Sequence, residues 1–388
     1  MGKHFCFFSA LYVPHPGGVE RYTHNLAKEL IAQGHRVTVV TCNTEGTPSV
    51  SESKEGITVY ALPCIPLMGG RLPLPKPNGT FRKLLRDLNG CDFDAVVINT
   101  RFYLHSLIGA RFAKKRGLPS LVIEHGSAHL QMGMPLLNTL CGWYEHFVTA
   151  IIKQYCKKYY GVSEEACQWL SHFGIAAKGI LYNAVPEKEI EAILQSDMPS
   201  FREKYNIPAD ALVFSFIGRL VKEKGADSTV SGFLRACAQT DRKLYLFLAG
   251  DGYLRERLET DAPDNVIFLG AIPYASAIRL HKDSDFYCLP SDSEGFCTSV
   301  LEAIVCDSVV VATNVPGVSP IIEDGVSGII LPENSEKAVE NGILRAVAME
   351  SRADFATRAK KSYIACGCTF PETAARLVKA FESREETA

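Results

Sequence analysis

Apolar runs alternate with helical patterns along the first half of the chain. The run at residues 4–9 predicts a first strand, and a β-branched run at 36–41 predicts a second one. Between them, apolar residues recur at helical spacing up to Gly34, at Val19, Tyr22, Leu26 and Leu30. Further strands are predicted at 57–62, 95–100 and 120–126. This alternation is typical of a parallel sheet flanked by helices.

The alternation restarts after Asn183 and Pro186. Strands are predicted at 212–219, 243–252, 265–270, 286–291, 308–313 and 327–332. Two successive arrays predict an α/β chain with two Rossmann-like doubly wound domains that face each other across a cleft. We expect one domain at 1–185 and another at 186–370. A last helix within 371–388 could pack back on the first domain, although composition alone allows either.

Composition narrows the class of protein. The 388 residues are 47% hydrophobic and 22% charged, enough for more than one core, and no apolar run approaches the roughly 20 residues that span a bilayer. Residues 1–185 carry 19 Lys and Arg against 12 Asp and Glu, whereas 186–388 carry 22 against 31. A basic first half fits an anionic acceptor or peripheral contact with a membrane surface, and we expect no nucleic-acid partner.

The 13 cysteines are scattered, odd in number and without Cys-x-x-Cys spacing. Several lie in or beside apolar runs, where a free thiol behaves as a small hydrophobe. We therefore expect reduced core cysteines and a cytoplasmic protein, at the inner face of a membrane if it binds one.

The segment 291–303, SDSEGFCTSVLEA, carries the strongest chemical signal. Glu294 lies in a loop after a predicted strand, where its carboxylate can accept hydrogen bonds from sugar hydroxyls, and Glu302 follows eight residues later in a helix. The start of that helix, near Thr298, offers free N–H groups and a positive dipole end that suit phosphate. The alternative is that two glutamates eight residues apart simply lie on the solvent-exposed face of a helix.

Three other features lie at strand ends. Arg219 and Lys224 place two cations at the carboxyl end of the strand predicted at 212–219, and His125 ends another strand. Gly17 and Gly18 allow close approach of a ligand to the backbone after the first strand, or serve only the turn. No G-x-G-x-x-G or P-loop pattern occurs, which disfavours oxidoreductases and P-loop enzymes.

The segment containing Glu294 and Glu302 resembles the E-x7-E signature of the retaining glycosyltransferases of family 4, which have the GT-B fold. The resemblance extends to 17–41, 216–225, 248–252 and 324–332, and so covers both predicted domains. It implies that the donor site includes Gly18, Arg219, Lys224, Glu294, Gly295, Phe296, Cys297, Thr298 and Glu302.

Roles follow from the same resemblance. Glu294 would hold sugar hydroxyls, Glu302 the ribose, and Arg219 with Lys224 the departing diphosphate. Gly17 and Gly18 would lie on the acceptor side. His125 and Glu294 are the catalytic candidates, with His125 contacting the donor sugar or handling a proton. Pro316 and Pro320 stand where many members of the family have Gly and Glu. The role that this Glu has in the family is therefore not assigned to any residue here.

Two further patterns admit plain structural roles. His125 and His129 have H-x3-H spacing, but the sequence offers no evident third ligand, so we expect no metal. Phe81, Leu84, Leu85 and Leu88 form an apolar stripe beside basic residues. The stripe fits either an anionic membrane surface or a helix that covers the first sheet, and we favour the covering helix.

The sequence therefore predicts a metal-independent retaining glycosyltransferase without a cofactor. It would move a hexose-type sugar from a nucleoside diphosphate sugar to a hydroxyl of a saccharide or lipid-linked acceptor, in surface polysaccharide or glycoconjugate biosynthesis. A nucleotide-sugar epimerase or phosphorylase on the same fold, or a non-catalytic sugar-nucleotide-binding protein, remain alternatives, because fold alone does not fix function.

Overall fold

A computed structural model describes residues 2–15, 17–68, 70–129, 135–294 and 296–382. It divides the chain into two compact units. The first comprises Met1–Ala184 and Thr369–Ala388, and the second comprises Val185–Cys368. The chain thus leaves the first unit once and returns to it.

The first unit is built on a mainly parallel sheet. Its strands are β1 His4–Ser9, β2 Arg36–Cys42, β3 Val50–Glu52, β4 Thr58–Leu62, β7 Ala95–Asn99, β8 Ser120–Glu124 and β9 Lys158–Gly161, with a separate hairpin of β5 Cys64–Leu67 and β6 Leu72–Pro75. Its helices are α1 Gly18–Ala32, α2 Gly79–Asn89, α3 Leu104–Arg116, α4 Pro135–Tyr155, α5 Glu164–Ser171 and α14 Phe370–Glu382.

The strand order of this sheet reverses beside β1. The order is β3-β4-β2-β1-β7-β8-β9, and all neighbouring pairs are parallel except β3 with β4. Strand β1 is buried almost throughout, as expected of a strand covered on both faces. In an α/β sheet of this kind, ligands bind outside the carboxyl ends of the strands at such a reversal.

The second unit repeats the plan. Its strands are β10 Leu212–Ile217, β11 Leu244–Ala249, β12 Val266–Gly270, β13 Phe286–Leu289, β14 Val309–Thr313 and β15 Ile329–Leu331. Its helices are α6 Glu187–Leu194, α7 Phe201–Lys204, α8 Ala226–Cys237, α9 Arg255–Thr260, α10 Tyr274–Asp283, α11 Thr298–Val305, α12 Glu336–Val347 and α13 Arg352–Cys366, with a 3-10 turn at Lys222–Lys224.

The order β12-β11-β10-β13-β14-β15 reverses beside β10, and every pair is parallel. A core of apolar side chains lies against this sheet, including Phe214, Phe233 and Phe286. The predicted α/β fold with two parallel sheets is therefore confirmed.

Composition alone did not decide where helices α2 and α14 pack, and the structure shows the position of each. Helix α2 buries Phe81, Leu84 and Leu88, so its apolar stripe covers the first sheet and does not face solvent. Helix α14 belongs to the first unit, where the Phe370 and Phe381 rings pack against Tyr22 and Phe5. No helix among the described residues is long and apolar enough to cross a membrane.

The cysteines depart in one place from the expectation that all are reduced. Cys6, Cys42, Cys156 and Cys288 are buried free thiols, as expected of small hydrophobes. Cys366 and Cys368, however, form a disulfide at the end of α13. The expectation of reduced cysteines is wrong there, because Gly367 between the two cysteines adopts a φ of +69°, which turns the chain so that the two thiols meet.

Helices α8 and α12 pack closely through Gly232. A Cβ at Gly232 would lie 2.7 Å from Val339 Cβ and 2.8 Å from the Glu336 carbonyl oxygen. We therefore expect Gly232→Ala to lower the free energy of unfolding by about 1–3 kcal/mol, because the α12 backbone must shift. Gly79→Ala, where a Cβ meets no atom within 4 Å, is the control and should be neutral or slightly stabilising. Denaturant midpoints measure both, and equal midpoints would contradict the packing argument.

Candidate active site

Most of the predicted donor residues lie near the strand reversal of the second unit, whereas Gly18 lies in the first unit. Strands β10 and β13 are neighbours there, and both carboxyl ends point to the same edge of the sheet. Arg219 follows β10 by two residues, and Lys224 ends the 3-10 turn beyond it. Glu294 lies in the loop that connects β13 to α11. The topology therefore brings together residues that are about 70 positions apart in the sequence.

The loops after β10 and β13 are joined by direct contacts. The Glu223 carbonyl oxygen accepts hydrogen bonds from the Asp292 backbone N–H at 2.9 Å and from Ser291 Oγ at 3.2 Å. Gly225 has a φ of +74°, and a Cβ there would clash with the Pro290 carbonyl oxygen. Only glycine permits both that conformation and that approach at low cost. Each loop therefore fixes the position of the other.

Lys224 and Glu294 form an ion pair in this position. Lys224 Nζ lies 2.6 Å from Glu294 Oε1, and the two side chains are only 20% and 12% exposed. Arg219, by contrast, is exposed. Reduced solvent screening makes such a pair stronger than one on an open surface. The loop after β10 therefore carries two cations, of which Lys224 is paired with a carboxylate, and such groups suit a diphosphate attached to a sugar.

Helix α11 begins beside this pair. Cys297 is its buried N-cap residue, and burial raises the pKa of the Cys297 thiol to about 12, so it remains neutral. Phe296 and Thr298 are partly exposed on either side of it. Gly295 lies outside the described residues. The donor residues predicted at 296–298 thus surround the start of the helix.

The loop with the two unusual prolines closes on the same helix start. The Pro316 carbonyl oxygen accepts a hydrogen bond from the Cys297 N–H at 3.2 Å, and Gly317 approaches that nitrogen with a φ of +90°. Pro320 is exposed. The departure from the family pattern therefore leaves an ordered loop that uses its backbone to contact α11.

Glu302 lies one turn further along α11 and is nearly buried. His281 Nε2 lies 4.0 Å from Glu302 Oε2. Burial lowers the pKa of His281 to about 3, so its ring is neutral at physiological pH. The Tyr287 ring meets the His281 ring edge-on at 4.8 Å. Glu302 is therefore backed by a neutral imidazole, which does not neutralise the charge of its carboxylate.

In the first unit, the two glycines differ in their surroundings. A Cβ on Gly17 would clash with the Glu20 carboxylate, which in turn lies 3.1 Å from His15 Nδ1. A side chain at position 17 would therefore require the Glu20 carboxylate to move. Gly18 is exposed, and a Cβ there would meet no described atom within 4 Å. Of the two glycines, Gly18 is the one whose backbone is open to a ligand.

His125 lies in a polar network at the strand reversal of the first unit. Thr23 Oγ1 donates to the Val19 carbonyl oxygen at 2.7 Å and accepts from Asn99 Nδ2 at 2.7 Å. Asn99 Oδ1 is then the acceptor for His125 Nε2–H at 3.1 Å. Burial lowers the pKa of His125 to about 3. The ring is therefore neutral, and its Nδ1 can act as a hydrogen-bond acceptor.

Sequence reasoning missed a buried ionic cluster beside His125. Arg101 is fully buried; its Nη2 lies 3.0 Å from Glu145 Oε2, and its Nε lies 3.4 Å from Glu124 Oε2. The Glu124 carboxylate also accepts the backbone N–H groups of His125 and Gly126. The available signal was a charged residue inside or directly after an apolar strand, as in SLVIE and AVVINTR.

The pairing of His125 with His129 does not occur. His125 contacts Asn99, whereas His129 lies beside His146 and His172, which are distant in the sequence. The structure thus brings to His129 two histidines, one on α4 and one just after α5, that sequence spacing did not reveal.

Comparison with known proteins connects these sites to a family. A model described as Glycosyltransferase Family 4 matches residues 16–188, and one described as Glycosyl transferases group 1 matches residues 197–362. Each unit of the chain thus has a matching family model, and together the two models span most of the sequence.

Individual relatives and a solved structure are also similar to this chain. An uncharacterised glycosyltransferase of Methanocaldococcus jannaschii is 26% identical over 88% of each chain. A D-inositol 3-phosphate glycosyltransferase of Catenulispora acidiphila is 24% identical over 95% of this chain and 91% of its own. The structure of Anabaena HepE with UDP-glucose has a TM-score of 0.70 at 18% identity, over 98% of this chain and 100% of its own. The last likeness shows the fold, which is GT-B.

The buried His281 predicts a pH effect on stability. Its pKa is about 3 when folded and near 6.5 when unfolded, so the unfolded state binds more protons between these values. We expect stability to fall as the pH drops below 6.5, with this residue contributing up to about 1.4 kcal/mol per pH unit. His281→Phe should flatten the curve of unfolding free energy against pH. Parallel curves for the two proteins, measured by denaturant unfolding, would contradict this prediction.

The Arg101 cluster predicts a large and specific loss of stability. Arg101→Met removes the cation between two buried carboxylates, and we expect a loss of about 3–5 kcal/mol in unfolding free energy. Adding Glu124→Gln and Glu145→Gln removes the uncompensated charges and should restore part of the loss. Denaturant unfolding of the single and triple variants measures this, and a triple variant less stable than the single one would refute a charge-based origin of the loss.

Proposed function

The chain belongs to the group 1, family 4 glycosyltransferases, and we propose that it moves a hexose-type sugar from a nucleoside diphosphate sugar to an acceptor hydroxyl with retention of configuration. The acceptor would be a saccharide or a lipid-linked molecule. The observation that carries the donor assignment is the Lys224–Glu294 ion pair at the strand reversal of the second unit, where the exposed Arg219 follows the same strand as Lys224.

Binding of the donor would separate Lys224 from Glu294. Its diphosphate offers Lys224 a more negative partner than Glu294 does, and Arg219 supplies a second cation. Glu294, released from Lys224, would then turn its carboxylate to the sugar hydroxyls. The partly exposed Phe296 and Thr298 at the start of α11 support the same placement, since a helix N-terminus attracts phosphate. Glu302 would accept the ribose hydroxyls.

These cations would also promote the reaction. Negative charge grows on the diphosphate as the bond between the sugar carbon and the phosphate oxygen breaks, and Lys224 and Arg219 would stabilise that charge. The acceptor oxygen forms its bond to the same carbon from the same face. Its proton passes to the departing phosphate oxygen. This scheme requires no protein nucleophile and no metal ion.

His125 would act as a neutral hydrogen-bond acceptor. Its Nε2–H is held by Asn99, and its Nδ1 lone pair can accept a hydroxyl of the sugar or the acceptor. Because burial lowers the pKa of His125 to about 3, it would not serve as a proton donor at neutral pH. Gly18, the glycine with open space above it, would allow the acceptor to approach the backbone.

The acceptor would be anionic or lipid-linked. The first half of the chain is basic, and helix α4 exposes Leu140, Trp143 and Phe147. One relative is named D-inositol 3-phosphate glycosyltransferase, and the molecule in that name is phosphorylated and therefore anionic. We place the protein at the cytoplasmic face of a membrane, in surface polysaccharide or glycoconjugate synthesis.

Donor binding and turnover test this proposal. UDP, GDP, ADP, dTDP and CMP are screened by thermal shift in chelator-treated buffer, since a ligand that binds the native state raises its apparent stability. One nucleotide should raise the melting temperature. Turnover is then measured with the matching nucleotide sugars. Lys224→Ala should reduce kcat by about 10²–10³-fold, as loss of a charge-stabilising group does, and Glu294→Gln should reduce it comparably.

Lys222→Ala is the matched control, because Lys222 is an exposed lysine on the same 3-10 turn. It should retain turnover. Nucleotide binding without turnover on any acceptor would instead favour a non-catalytic binding protein. No response to any nucleotide, or full activity of Glu294→Gln, would refute the assignment of the site.

A further inference from the structure

Three histidines from separate segments meet on the first unit. His129 lies after β8, His146 lies on α4, and His172 follows α5. One ring nitrogen of each lies within 4.8 Å of the others. They occupy neither of the strand reversals, and the proposed sugar transfer uses none of them.

The spacing of the nitrogens approaches that of a metal site. His146 Nε2 lies 3.2 Å from His172 Nε2. Two nitrogens bound at about 2.0–2.1 Å to a tetrahedral Zn²⁺ are separated by roughly 3.3 Å. This pair already has that separation, and His129, whose ring nitrogen lies within 4.8 Å of the other two, would have to move closer to complete the set.

Neighbouring residues orient the rings. His129 Nδ1 lies 3.2 Å from Glu145 Oε2, and Glu145 is fully buried against Arg101. A carboxylate that faces one ring nitrogen of a histidine leaves the other nitrogen for a metal ion, an arrangement that recurs around zinc ligands. The Trp169 ring stacks on His172 at 4.8 Å with an angle of 5° between the planes. Two of the three rings are therefore held in place by the fold.

The cluster is accessible. His146 and His172 are exposed, and all three histidines line an open pocket of about 800 Å³ together with Trp143 and Phe147. An ion can enter without opening the core. Three protein ligands leave a fourth position on the side of the pocket for water or for an anionic group of a bound molecule.

We infer that His129, His146 and His172 form a binding site for a divalent transition-metal ion, with Zn²⁺ as the first ion to test. Imidazole nitrogens suit Zn²⁺, Ni²⁺, Co²⁺ and Cu²⁺, whereas Mg²⁺ and Ca²⁺ prefer oxygen ligands. The bound ion would join the loop after β8, helix α4 and the segment after α5. This inference does not depend on the proposed sugar transfer, whose residues lie elsewhere.

The test is a Zn²⁺ titration of the full, tag-free, chelator-treated protein in competition with a chromophoric chelator. We expect one ion per chain and a higher melting temperature of the zinc-loaded protein. His146→Gln and His172→Gln should each weaken binding by more than the 10–100-fold typical of losing an outer partner of a metal site. Both residues are exposed, so the variants should fold, which circular dichroism of the metal-free proteins checks.

Two controls distinguish this site from nonspecific or thiol-based metal binding. Trp143→Ala alters the same pocket without removing a nitrogen ligand and should bind Zn²⁺ like the unmodified protein. Co²⁺ loading should give a visible spectrum without a thiolate charge-transfer band, because the three inferred ligands are all imidazoles. Absence of Zn²⁺ binding, binding that survives both histidine substitutions, or equal affinity for Mg²⁺ would overturn the inference.

Discussion

The reversal of strand order beside β10 is the constraint on which the candidate donor site depends. Parallel strands place all their carboxyl ends at one edge, and only where the order reverses do two adjacent loops diverge and leave room for a ligand. Arg219, Lys224 and Glu294 acquire their common position from this topology. The hydrogen bond from Asp292 to Glu223 and the close approach of Gly225 to Pro290 then fix the two loops against each other.

The sequence predicted those features that repeat locally. Strand and helix periods indicated both parallel arrays, and strand ends marked Arg219, His125 and Glu294 in advance. What it could not reveal depends on tertiary proximity. Glu145 is 44 residues from Arg101, and His172 is 26 residues from His146. No short-range period connects such residues, and their partners become visible only when α4 packs beside the sheet.

The paired charged side chains of the two units differ in their exposure to solvent. In the second unit, the Lys224 and Glu294 side chains of the ion pair remain partly exposed, by 20% and 12%. In the first unit, Arg101 is enclosed with Glu124 and Glu145, where exchange with solvent ions is impeded. That cluster secures the backbone at His125 and Gly126. The Lys224–Glu294 pair is thus partly open to solvent, whereas the three charged side chains of the Arg101 cluster are closed to it.

The return of α14 to the first unit has a consequence for biosynthesis. Residues 185–368 form a contiguous unit, whereas the first unit needs the segment from 369 onward to cover Phe5 and Tyr22. A ribosome releases the chain from its N-terminus, yet here the part made first must wait for a segment made after the second unit. All residues of the second unit are therefore synthesised before the segment that covers Phe5 and Tyr22. Order of synthesis and order of completion are therefore inverted in this protein.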